Sequence, residues 1–165
     1  MTGGERDARV ATVRLRRAVR ADLAGLVALE ASFPGDRLRC AELARYVRAA
    51  DVDVWVAEID GEIVADAVVV YRRGFGAARL ASLVVDPRYR GRGIAARLMR
   101  HLEAEAVQRG CVAMRLEVRV DNPAARRLYD ALGYELVGTT AGFYEDGSAA
   151  LRLRKPFGPA RVRPS

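Results

Sequence analysis

The segment DPRYRGRGIAAR, Asp86 to Arg97, carries the residues best suited to hold a multiply charged anion. Gly91 and Gly93 let the main chain come close to a ligand and take dihedrals closed to other residues. A helix starting near Ile94 would aim the free N–H groups of its first turn the same way, with the positive end of its dipole behind them. Arg88, Arg90 and Arg92 add full charges. Together these features describe a pyrophosphate cradle. A second group lies in LEVRVDNPAARRLYDALGY, Leu116 to Tyr134: the carboxylate Glu117, the carboxamide Asn122 and the phenol Tyr129. A carboxylate can take a proton during a reaction and a phenol can give one. The residues alone leave plainer roles open. Glu117 could pair with Arg115 and Arg119, Tyr129 could be a core tyrosine, and Asn122 before Pro123 could simply cap a helix.

Which pyrophosphate the cradle fits is narrowed by what is missing. No Lys-Ser/Thr pair follows the glycines, so this is not a P-loop. Gly91, Gly93 and Ala96 do satisfy the dinucleotide pattern G-x-G-x-x-A, with Glu117 further along. In that fold, however, the first glycine follows its strand directly, whereas DPRYR intervenes here.

The elements that must position these groups follow from changes of period. Alternation marks strands over Val13–Val19, Val52–Ile59 and Glu62–Tyr71, the last two joined by the tight turn Asp60-Gly61. A second turn at Gly74 and Gly76 leads to a short apolar strand, Leu80–Val85. Further strands are expected at 112–120, 134–139 and 149–154. Helical spacing predicts helices capped by Asp22 and by Asp36, a long helix over Ile94–Arg109, and one from Asn122-Pro123 to Leu132. The order is β-α-α-β-β-β-α-β-α-β-β. The strand-helix-strand run from 80 to 120 requires a parallel pair, and the remaining strands are linked by hairpins. The expected fold is therefore α/β (α+β): a mixed, mostly antiparallel seven-stranded sheet with helices on both faces. One domain over residues 10–156 is flanked by flexible tails, 1–9 and 157–165. Asp66 interrupts an otherwise apolar strand, and the sequence offers no account of it.

The 165 residues are 51% hydrophobic and 30% charged, enough to fill one core and coat it. That excludes disorder. No apolar run is long enough to span a membrane, and MTGGERDAR lacks the apolar core of a secretory signal. Two cysteines and one histidine suit neither a disulfide scaffold nor a metal cluster, so a cytoplasmic setting without metal is expected. His101 reads as a surface residue. The net charge is +7, almost all of it arginine, since Lys155 is the single lysine. Such a balance calls for an anionic partner. A nucleic acid is the weaker choice because no reader motif is present and the arginines are dispersed.

At these residues the chain resembles the GCN5-related N-acetyltransferases. Their acetyl-CoA loop, R/Q-x-x-G-x-G/A, is matched by Arg90-Gly91-Arg92-Gly93-Ile94-Ala95, and the preceding strand by SLVVDP. The block from Leu116 to Tyr134 is similar to L-E-V-R-x-x-N-x-x-A-x-x-L-Y-x-x-x-G-F/Y, especially as found in bacterial ribosomal-protein alanine N-acetyltransferases. The resemblance implies that Leu83, Val84 and Val85 offer main-chain groups to the pantetheine arm and acetyl carbonyl. It implies that Gly91 through Ala96 hold the pyrophosphate and that Asn122 binds the cofactor. Glu117 would accept the proton of an attacking amine and Tyr129 would supply one to the thiolate. The partner implied is an amine acceptor, a protein N-terminus, a lysine or a small molecule, and a homodimer is compatible. Relatives often carry an acidic pair after the glycine of the final hairpin, where this chain has Ser148-Ala149. An acidic acceptor face could come from Glu30, Asp36, Glu145 or Asp146, which the sequence alone does not bring together. The rival readings are an NAD(P)-binding oxidoreductase fragment and a nucleic-acid-binding module.

Overall fold

The computed structural model describes residues 12–33, 38–74 and 76–158. Among them, seven strands make one sheet: β1 (Arg14–Arg17), β2 (Val52–Ile59), β3 (Glu62–Val70), β4 (Ala77–Val85), β5 (Ala113–Arg119), β6 (Glu135–Thr140) and β7 (Ala150–Pro156). Four α-helices accompany it: α1 (Leu23–Ala31), α2 (Cys40–Arg48), α3 (Ile94–Gln108) and α4 (Pro123–Ala131). The spatial order is β1-β2-β3-β4-β5-β7-β6, and only β4 and β5 run parallel. The expected mixed, mostly antiparallel sheet is thus observed. A dinucleotide-binding sheet would be largely parallel, which this one is not.

Alternation along the central strands sorts side chains into two cores. Trp55, Ala57 and Ile59 of β2 join Ala65, Ala67 and Val69 of β3 under α3 and α4. Val52, Val54 and Val56, with Val68, face the opposite way and are covered by Leu26 of α1 and Leu43 of α2. Helices therefore cover both faces. Helix α3 is fastened by Leu98, Met99 and Leu102, all fully buried, each contributing about 2 kcal/mol of apolar transfer. Between β2 and β3, Asp60 (φ 50°) and Gly61 (φ 80°) both take positive φ, as the tightest hairpin turn demands.

Several boundaries differ from the sequence reading. The first strand is shorter, and a three-residue 3-10 turn, Arg20–Asp22, precedes α1. Asp22 stands at the N-cap of α1 but makes no cap bond. Both its oxygens accept from the Arg16 guanidinium, at 2.8 and 3.0 Å, and one also accepts from Val19 N–H. A charged fork-to-fork pair is stronger than a neutral cap bond, so it wins. Strand β4 begins at Ala77, three residues earlier than its apolar run suggests. His101 is a correction: it is half-buried, packed edge-on against Trp55 at 4.2 Å between ring centroids. Asp36 and the terminal tails up to residue 9 and from 159 onward lie outside the described residues.

Candidate active site

Strands β4 and β5 pair over three residues only, Ala77↔Ala113 to Arg79↔Arg115. Both continue beyond that point, β4 held by β3 on its other edge and β5 by β7. A notch opens between their C-terminal halves. Main-chain groups alternate sides along a strand. The Asp86 N–H turns toward β3 and donates to Val64 O at 2.8 Å. Hence the N–H groups of Val85 and Leu83 turn toward the notch, while Val84 bonds on the β3 side and its side chain is buried.

The chain leaves β4 into the loop that leads to α3. Asp86 caps the 3-10 turn Pro87–Tyr89, accepting from Arg88 N–H at 2.9 Å. Gly91 and Gly93 both take φ 77°, and Gly93 is the N-cap of α3, where it makes no side-chain cap bond. The N–H groups of Ile94, Ala95 and Ala96 begin a helix and so lack intrahelical acceptors. Arg90 Nε donates back to Val85 O at 3.3 Å, tying the loop to the rim of the notch. The three arginines are not equivalent. Arg88 is spent on Asp86 and Glu62, at 2.9 and 2.6 Å, and holds the Asp86 carboxyl below its usual range. Arg92 lies over the Tyr89 ring at 5.0 Å.

Glu117 projects from β5 on the face away from α3, and its side chain is 12% exposed. Its oxygens accept from Arg79 Nε at 3.1 and 3.4 Å, and Arg115 Nη1 lies at 3.5 Å. Asn122 caps α4, its carboxamide oxygen accepting from Ala125 N–H at 3.1 Å. Tyr129 is 6% exposed and belongs to the core under α4. Burial, with a smaller contribution from the nearby Tyr144, raises its phenol above the ordinary value, so it stays protonated at any working pH. Tyr134 meets it edge-on at 5.6 Å and donates its own hydroxyl to Glu103 at 2.8 Å, which Lys155 also bonds at 2.7 Å. That chain of contacts fixes where the Tyr129 ring stands. Tyr144 lies on the loop after β6, with the Arg119 guanidinium 4.5 Å over its ring.

A glycine-turned helix start at the mouth of a split parallel pair is a fold-level signature, and comparison with known proteins agrees with it. The family model described as acetyltransferase (GNAT) family matches residues 23–134. The chain belongs to that family. Its members are acyltransferases with acetyl-CoA as co-substrate. An acetyltransferase of Sodalis glossinidius is 44% identical over 81 residues, covering 49% of this chain and 56% of the relative. One of Pectobacterium atrosepticum is 44% identical over 82 residues, covering 50% and 57%. The chain thus spans little more than half the length of these curated relatives. Among solved structures, the ribosomal-protein-S18-alanine N-acetyltransferase of Escherichia coli superposes with a TM-score of 0.82 at 24% identity, covering 92% of this chain and 98% of that one. Arabidopsis thaliana NAA60 in complex with acetyl-CoA gives 0.79 at 21%, covering 90% and 100%. At such identities the likeness establishes the GNAT fold.

What this GNAT chain places around Glu117 was not legible beforehand. A cavity of about 600 Å³ opens beside the base of the notch, lined by Arg45, Tyr46, Arg72, Arg79, Arg115 and Phe143 with Glu117 and Asp51. Among the described residues, the three candidates for an acidic face are engaged elsewhere. Glu30 is buried, Asp146 pairs with Arg119, and Glu145 lies 3.8 Å from Arg39. Glu30 instead explains Asp66. It accepts from Ser82 Oγ at 2.9 Å and Leu38 N–H at 3.2 Å, directly behind β4. Asp66 is fully buried, and among the described residues its oxygens meet no donor. Burial first, then the charge of Glu30, hold its carboxyl well above the usual range, which favours the protonated form that can donate to Glu30.

Proposed function

We propose that the protein is an acetyl-CoA-dependent N-acetyltransferase that passes the acetyl group directly to a primary amine. The observation that carries this reading is the uncapped start of α3, turned by Gly91 and Gly93 and tied through Arg90 to the notch rim at Val85. Gly91, Arg92, Gly93, Ile94, Ala95 and Ala96 would hold the diphosphate. Leu83, Val84 and Val85 would line the pantetheine arm, and the spare N–H atoms of Asn122 suit an amide of that arm. Bound there, acetyl-CoA supplies an activated thioester.

The roles of this chain follow from what acyl transfer needs. The Val85 N–H, aimed at the notch, can bond the carbonyl oxygen as charge grows on it. Glu117, directly or through water, takes a proton from the attacking amine as its nitrogen bonds the carbonyl carbon. Tyr129 gives its proton to the sulfur as the C–S bond breaks. An α-amine, with pKa about 7.8, is easier to deliver neutral than a lysine at about 10.4. A protein N-terminus is therefore the favoured acceptor, in keeping with the fold shared with the ribosomal-protein-S18-alanine N-acetyltransferase of E. coli. Incubation with acetyl-CoA and a panel of peptide and small-molecule amines tests the reading. Release of free coenzyme A with one acetyl group gained by the amine is expected; failure of the protein to bind acetyl-CoA would overturn it.

A further inference from the structure

We infer that the acceptor carries an anionic group, a carboxylate or phosphate, seated in the arginine-lined cavity beside Glu117. This rests on the transferase reading above and adds to it the chemistry of the second substrate. Arg45, Arg72, Arg79 and Arg115 share that cavity with two acids, Asp51 and Glu117. On the same sheet face, register sets Arg152 of β7 opposite Glu117 and Arg154 opposite Arg115. Like charges side by side on a sheet are unfavourable without counter-charge. Glu117 supplies only part of it. Arg79 reaches Glu117 through Nε, and Arg115 through Nη1 at 3.5 Å. A guanidinium has five N–H donors in a planar fork suited to carboxylate and phosphate oxygens. The side chains of Arg79 and Arg115 are 35% and 39% exposed and line the cavity, so part of each guanidinium borders it.

Placement sets the spacing. Arg115 and its pairing partner Arg79 stand two strand residues before Glu117, roughly 7 Å along β5. Their guanidinium groups nonetheless reach the Glu117 carboxylate, at 3.1 Å for Arg79 and 3.5 Å for Arg115, so an amine delivered to Glu117 stands at the edge of the cavity and its anion can sit among the cavity arginines. A Glu or Asp side chain one or two residues after a free N-terminus fits, as does a phosphate on a small amine. Tyr46 and Phe143 give the cavity flat walls for the linking atoms. The positive surroundings also favour the uncharged form of a bound amine, which is the nucleophile.

The test uses the full chain with saturating acetyl-CoA and acceptors differing only in charge. One arm is a set of equal-length peptides with a free Ala N-terminus and Glu-Glu, Gln-Gln or Lys-Lys at the next two positions. The other is an aminohexose with and without its phosphate. In at least one arm, kcat/KM should be about tenfold higher for the anionic member. The arm that shows the preference identifies the source of the anion. Arg45→Glu should narrow that preference while leaving acetyl-CoA affinity, read by calorimetry, unchanged. Equal or better transfer to the Lys-Lys peptide, with no effect of the phosphate, would overturn the inference, as would transfer to no member. Calorimetric binding of acetyl-CoA in those cases would leave the transferase reading standing; absent binding would remove both.

Discussion

Tyr129 and Asp66 are both acids whose protonated forms burial favours, yet they serve different ends. Tyr129 packs against Tyr134, which bonds Glu103, and its raised phenol keeps the proton that the proposed transfer would give to a leaving thiolate. Tyr129→Phe should lower kcat by about 10²-fold while leaving acetyl-CoA affinity unchanged. If Tyr144→Phe shows that loss instead, the donor is Tyr144. For Asp66 the sign of the pH effect is set by a folded-state carboxyl raised above its unfolded value. The stability it contributes is complete below the ordinary carboxylate range, about pH 4, and is lost as pH climbs toward the raised value. Asp66→Asn keeps a donor for Glu30 without the ionisation. Urea unfolding from pH 5 to 8 should show the variant gaining on the wild type by up to about 1.4 kcal/mol per pH unit; a constant difference would mean that Asp66 ionises normally. In the sequence, Glu117, Asn122 and Tyr129 stood out because their motif is contiguous. Arg79 did not, because the apolar run of β4 starts at Leu80 and hides the residue before it. Nor could Asp66 be understood without Glu30, which sits on another element and turns its carboxylate inward.

In the proposed function the deciding element is the junction of β4, its loop and α3. Two glycines at φ 77° turn the chain there. No neighbour within 4 Å would obstruct a Cβ at Gly93, so the penalty of Gly93→Ala is conformational, about 1–2 kcal/mol. Relief of that strain rotates the N–H groups at the helix start. Acetyl-CoA affinity should therefore fall together with stability, as calorimetry and chemical unfolding can compare; full affinity in a folded variant would separate the turn from cofactor binding. Strand and helix periods along the chain made nearly every element legible within a few residues. Their neighbours were less so. The last two strands read as a hairpin and pair as one, but β7 rather than β6 lies beside β5, and nothing in local alternation says which of two successive strands takes the inner place. The turn before α1 was missed because Asp22 has a stronger partner in Arg16 than any helix N–H.

Taken whole, the molecule is a sheet closed on both faces by helices and split at one point, where the parallel pair ends after Arg79 and Arg115. The split gives β4 a free edge, and the fold gathers arginines on one side of it. Net charge pointed to an anionic partner, but only the folded chain separates the glycine-turned start of α3 from an arginine-lined cavity near α2. In the proposed reading these are two anion-binding surfaces on either side of Glu117. The most direct test follows the backbone amides of Leu83, Val85, Gly91, Gly93, Ile94, Ala95 and Ala96 by heteronuclear NMR during titration. Acetyl-CoA should shift this set together and saturably, and NADH should leave it in place. Amides that stay unmoved by acetyl-CoA, or that respond to NADH instead, would contradict the account.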